Sequence, residues 1–74
     1  MLVLRIEQKR KEKKITQGDL ARELGVTQGA ISQWEKGLTE PAIKYLVNMA
    51  VFFECTVDEL LQKGEVENGK SRIP

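Results

Sequence analysis

The chain has 74 residues, with 12 Lys+Arg against 11 Asp+Glu, no histidine and a single cysteine, Cys55. That length holds one small domain, the missing histidine excludes His-based triads and His metal ligands, and a lone cysteine excludes an internal disulfide or a CxxC metal pair. No apolar run nears the ~20 residues of a membrane span, and Met1–Leu4 is too short for an export leader, so a cytoplasmic protein with no cofactor or metal and no membrane partner is expected.

Residues 2–13 lack Gly and Pro and are rich in helix formers, which predicts a first helix with Leu2, Ile6 and the stems of Lys9, Arg10 or Lys13 on its inner face. Thr16 offers a hydroxyl cap, and Asp19 stands three residues on, where a capping box needs an acceptor. Leu20, Ala21 and Leu24 then stripe a second helix over 17–24, closed by Gly25. Thr27 caps a third helix over about 28–36, with Ala30, Ile31 and Trp34 on its apolar face and Gly37 at its end. After a loop ending at Pro41, a fourth helix covers about 42–53, with Ile43, Leu46, Val47, Ala50 and Phe53 expected inward. Thr56 and Glu59 form a capping box for a short fifth helix, about 57–61, carrying Val57, Leu60 and Leu61. Residues 62–74 are polar and read as a flexible tail to a domain of residues 1–61. The fold class is all-α, five short helices and no strand.

The net charge of +1 hides an asymmetry. Residues 1–14 hold six bases and two acids, whereas residues 51–67 hold five acids and one base. A basic end of this kind marks a nucleic-acid face or an ordinary solvated helix.

Residues 17–36 meet the demands of a helix-turn-helix. Two short helices cross steeply, so a small residue must stand at the closest approach, and Ala21 does. The turn needs positive φ, which Gly25 supplies. Leu20, Leu24, Val26, Ile31 and Trp34 fall where the shared core needs apolar groups.

On these residues the chain resembles the phage-repressor helix-turn-helix family, the lambda-repressor-like, Xre/Cro-type transcriptional regulators. The resemblance runs from about Ile6 to Leu61, through Ile15-Thr16-Gln17, Leu20-Ala21, Leu24-Gly25-Val26-Thr27, Ile31-Ser32-Gln33-Trp34-Glu35, Pro41 and Val57-Asp58-Glu59-Leu60-Leu61. It implies a compact five-helix domain that binds operator DNA as a dimer, with the third helix in the major groove. It also implies an ion pair between Arg10 and Glu35, and a phosphate contact by Gln17 that buttresses Gln28.

The third helix fits that expectation on its own chemistry. A recognition helix presents its N-terminal residues to base edges, here Thr27, Gln28 and Gly29, with Ser32 and Gln33 following. Gln28 is the first choice for adenine, since a Gln amide matches adenine N6 and N7. Gly29 reads no base with a side chain. Lys36, Lys44 and Lys14 are candidate phosphate partners, as are the starts of the second and fourth helices. Trp34 is assigned to the core between the third and fourth helices.

The fourth helix carries surplus apolar surface. Tyr45, Met49 and Phe52 form a second line beside Val51. With Val57, the residues Tyr45, Val51 and Phe52 form a candidate homodimer interface; the alternative is packing beneath the first or fifth helix. Glu54 stands where the resembled family often has glycine, so a distorted helix end is expected there. The function expected is a sequence-specific DNA-binding repressor acting on a palindromic operator. The alternatives are an antitoxin-type regulator that also binds a toxin, and a protein-interaction domain that lost DNA binding. No nucleophile–base pair or phosphate loop points to an enzyme.

Overall fold

The computed structural model describes residues 4–61. It contains α1 (Ile6–Glu12), α2 (Gln17–Leu24), α3 (Gln28–Lys36), α4 (Ile43–Phe52) and α5 (Val57–Leu60). The expected tail at 62–74, and Leu2 with it, lie outside the described residues.

Local chemistry sets the middle helices. The Thr16 hydroxyl accepts from the Asp19 N–H at 3.0 Å, and the Asp19 carboxylate accepts from the Thr16 N–H at 2.9 Å. The bond from the Thr16 N–H foremost, then the Thr16 side chain and the nearby Arg22, holds the Asp19 carboxyl below its usual range. The contribution is present above the ordinary Asp range and is lost as pH falls through the lowered value. Thr27 caps α3 by accepting from the Ala30 N–H at 3.1 Å. Gly25, at φ 75°, ends α2 with its N–H on the Ala21 carbonyl at 2.8 Å, a left-handed geometry that glycine adopts without a Cβ penalty.

Two other helices end in the same left-handed turn without glycine. Lys14 (φ 60°) follows α1 and Glu54 (φ 57°) follows α4. In each case the next residue closes the turn: Ile15 N–H reaches the Arg10 carbonyl at 3.2 Å, and Cys55 N–H reaches Ala50 at 2.9 Å. The end of α4 is therefore a regular turn held in a conformation that costs a non-glycine residue about 1–2 kcal/mol.

The core gathers Leu4, Ile6, Leu20, Ala21, Leu24, Ile31, Trp34, Leu46, Met49, Ala50 and Leu60. Ala21 is buried where α2 packs on α3, the most extensive helix pairing in the domain. Trp34 sits in the core as expected, its ring 5.7 Å from that of Tyr45 on α4.

Three expectations need correction. The first helix starts at Ile6, not residue 2: Leu4 forms an antiparallel bridge with Leu61, and the Arg5 N–H donates to the Leu60 carbonyl at 2.7 Å. On a helix Leu4 and Ile6 would stand about 200° apart, so leaving the helix at Arg5 lets both be buried. That bridge also ends α5 at Leu60. The inner face of α4 is Leu46, Met49 and Ala50, while Ile43 (71% exposed), Val47 and Val51 (73%) face outward. Between Ile43 and Phe52 only Lys44 and Asn48 are charged or amide-bearing, so two apolar stripes compete and tertiary packing selects one.

Candidate nucleic-acid interface

The exposed side of α3 carries Gln28, Gly29, Gln33 and Lys36, with Thr27 exposed at its cap and Ser32 half-buried beside them. Behind this face runs a chain of polar side chains drawn from three helices. Arg10 of α1 grips Glu35 of α3 with Nε on Oε2 at 2.8 Å and Nη2 on Oε1 at 3.3 Å. Arg10 Nη1 donates further to the Ile15 carbonyl at 3.0 Å, tying the turn after α1 to the pair. Only 11% of the Arg10 side chain and 5% of the Glu35 side chain are exposed. The hydrogen bond to Glu35, above all, raises the guanidinium beyond its already high pKa.

The chain continues outward. Gln17, the first residue of α2, donates from Nε2 to Glu35 Oε1 at 2.9 Å. Gln28 then donates from Nε2 to Gln17 Oε1 at 3.4 Å. Arg10, Glu35, Gln17 and Gln28 thus form one line from the core to the face of α3. The Arg10–Glu35 pair and the Gln17–Gln28 contact are those the family resemblance implies. The Gln17–Glu35 link is new, since residues 18 apart in sequence leave no spacing signal. Thr39, in the loop after α3, is also new: its hydroxyl donates to Gln33 Oε1 at 3.4 Å.

Lys14, Lys36 and Lys44 are all exposed. Lys14 doubles as the left-handed residue after α1, and the Lys44 ammonium lies 5.1 Å from the Tyr45 ring centre. The two candidate helix starts differ. The N-terminus of α2 is already met by the Asp19 carboxylate, whereas α4 has Ala42 at its N-cap and no side-chain cap. The anion-attracting end of α4 is therefore the less neutralised of the two.

Gly29 has open space around it. A Cβ built there comes no closer than 3.9 Å to the Thr27 hydroxyl. Gly29→Ala is expected to stabilise the domain by about 0.5–1 kcal/mol, because alanine restricts the unfolded chain and suits a helix. Urea unfolding checks it; a loss of stability would mean that α3 does not hold its observed course at Gly29.

The four candidate dimer residues do not form one free surface. Tyr45 is half-buried against Trp34, and Phe52 packs on Phe53 at 5.3 Å with the Lys13 ammonium over its ring. Val57 is half-buried, and Val51 alone of the four is exposed. Val51 instead continues a line with Ile43 and Val47, and it borders a cleft of about 390 Å³ lined also by Glu23, Leu24, Asn48 and Phe52. Among the described residues no helix is long and apolar enough to cross a membrane, and no cluster of potential metal ligands occurs.

Residues 6–60 match the model of a helix-turn-helix family. The transcriptional activator BcrR of Enterococcus faecalis is 40% identical over 62 residues, covering 84% of this chain and 30% of that protein. Repressor protein C2 of Salmonella phage P22 is 42% identical over 62 residues, covering 84% of this chain and 28% of that protein. The chain thus spans less than a third of the length of these two relatives. Among solved structures, the P22 c2 repressor bound to a synthetic operator superposes with a TM-score of 0.73 at 41% identity, covering 78% of this chain and 88% of that one. SinR in complex with DNA superposes at 0.66 with 34% identity, covering 73% and 87%. With its five helices, its Ala21 crossing and its Gly25 turn, the chain belongs to the lambda-repressor-like helix-turn-helix family.

Proposed function

We propose that this chain is the DNA-binding part of a transcriptional regulator, a repressor in its simplest form, that reads a specific operator with α3. The observation that carries the reading is the exposed Gln28–Lys36 face, held from behind by Arg10, Glu35 and Gln17. The relatives support it, being DNA-binding regulators rather than enzymes, one of them bound to an operator.

In this reading Gln28 makes the principal base contact. Thr27, Ser32 and Gln33 reach neighbouring bases or sugar, and Gly29 lets the backbone approach the groove. Gln17, Lys36, Lys44 and Lys14 meet phosphates, with the start of α4 adding a backbone site. Two copies would lie about 34 Å apart on a palindrome. The exposed line of Ile43, Val47 and Val51 is the apolar surface available for a second copy to cover.

Selection of binding sites from random DNA tests this directly. A palindrome with half-sites one helical turn apart is expected, and recovery of no preferred sequence would sink the reading. Lys36→Ala should weaken specific and random DNA alike and reduce the slope of log K against log salt by about 1. An unchanged slope, measured by fluorescence anisotropy, would remove Lys36 from the phosphate contacts.

The exposed α4 line also favours a second reading, a domain that binds another protein. Among the structural neighbours is a SinR–SinI complex, at a TM-score of 0.70 and 28% identity. Salt-independent or absent DNA binding would favour that reading.

A further inference from the structure

The polar chain behind α3 has a direction, and the direction originates at a carboxylate. Rotating a glutamine amide by half a turn exchanges donor for acceptor without changing its shape. Gln28 is exposed, so burial selects neither orientation. Glu35 supplies the reason. A carboxylate only accepts, and Arg10 sets one guanidinium N–H on each Glu35 oxygen in a part-buried site, so Glu35 presents an acceptor to its remaining neighbour.

Gln17 must therefore turn Nε2 toward Glu35, as it does at 2.9 Å. Its Oε1 then points the other way. Gln28 in turn must offer Nε2 to that oxygen, as it does at 3.4 Å. The opposite orientation of Gln28 would set two amide oxygens against each other.

We propose that Glu35 is a positioning residue that fixes the donor–acceptor polarity of Gln28, two side chains away, and so determines which base edge Gln28 reads. This rests on the reading above that Gln28 faces base edges. With one N–H engaged by Gln17, the other N–H and Oε1 remain side by side as a donor–acceptor pair. Adenine presents the complement, with N7 accepting and N6 donating. Gln33 is a natural contrast: its partner is the Thr39 hydroxyl, which donates or accepts as it rotates and so imposes no polarity.

The experiment measures binding of the whole chain to its selected DNA site and to every single base-pair substitution of that site. Gln28→Ala and Gln33→Ala first identify the base pair that each glutamine reads. Glu35→Gln presents Gln17 with an amide of either polarity. It is expected to cut the preference at the Gln28 base pair by roughly 5- to 20-fold. Preference at the Gln33 pair and affinity for random DNA should stay within about twofold. Gln17→Met leaves the Arg10–Glu35 pair intact. It also removes the proposed phosphate contact of Gln17, so affinity falls on operator and random DNA alike. The readout is the base preference at the Gln28 pair, which should fall as in Glu35→Gln even if that variant fails to fold. An unchanged profile in Gln17→Met overturns the proposal. So does a loss of preference spread evenly over all base pairs, the mark of a merely structural role. A wild-type chain with no base preference overturns the functional reading itself, whereas these two outcomes remove the role of Glu35 alone.

Discussion

Arg10→Met is expected to destabilise the domain by about 3–5 kcal/mol, the cost of leaving one member of a buried ion pair without its partner. Glu35 would keep its Gln17 contact but lose the guanidinium, with 95% of its surface still withdrawn from water (5% of the side chain is exposed). A core of this size rarely supplies more than ~3–5 kcal/mol, so the loss is comparable to the whole stability of the fold. In thermal unfolding followed by far-UV circular dichroism, the midpoint should fall by at least about 12 °C, or the cooperative transition should vanish. Arg10→Met with Glu35→Leu should recover most of the loss, because removing both charges also removes their desolvation cost. The ion pairs Glu7–Lys11 and Asp19–Arg22 are opposite cases, exposed and screened, and Lys11→Ala or Arg22→Ala, which leaves the Asp19 cap in place, should pass almost unnoticed in the same melt. A drop below about 1 kcal/mol in Arg10→Met would mean that water reaches Glu35 in solution.

The reason one ion pair matters so much is where it sits. Arg10 binds both Glu35 and the Ile15 carbonyl, so α1, the turn before α2 and the end of α3 share one guanidinium. α1 buries only Ile6 completely, and without this clamp little else holds it across α3. The clamp thus trades a small net stability for a fixed orientation of α3. That is the property a helix that reads DNA requires, since a rotation of one residue would present a different set of side chains.

How far the sequence discloses this depends on whether the controlling chemistry is local. The limits of α2 and α3 are legible because Thr16, Thr27, Gly25 and Gly37 act within a turn of themselves, and the helices lie where those residues put them. Ala21 at the crossing is legible for a similar reason, as it is the one small side chain in its stripe. The inner face of α4 is not legible, because Ile43, Val47 and Val51 are as apolar as Leu46, Met49 and Ala50, and the choice is made by packing against the core that the other helices contribute. The start of α1 is hidden too, since it depends on Leu4 meeting Leu61 at the far end of the domain. At the site the glutamines of α3 are readable from their position on the helix. The Gln17–Glu35 bond behind Gln28 exists only once α2 and α3 are packed.

Gln28→Ala should weaken binding to the selected operator by about 1–3 kcal/mol, roughly 5- to 150-fold, the worth of one bidentate base contact. Gln28 is exposed and opens α3, where alanine is an excellent helix former, so the fold should survive the change. Its side-chain bond to Gln17, at 3.4 Å, is long and at the surface, so little stability is lost with it. Binding to random DNA should change little, because in the proposed reading the phosphate contacts of Gln17, Lys36, Lys44 and Lys14 would carry it and none of those residues is altered. The variant should also become indifferent to the identity of one base pair in each half-site. Titrations at a single fixed salt concentration, with operator and random duplexes side by side, separate the outcomes. Equal losses on both duplexes would place Gln28 on the sugar–phosphate backbone, and no loss on either would move base reading to Gln33 and its Thr39-restrained amide.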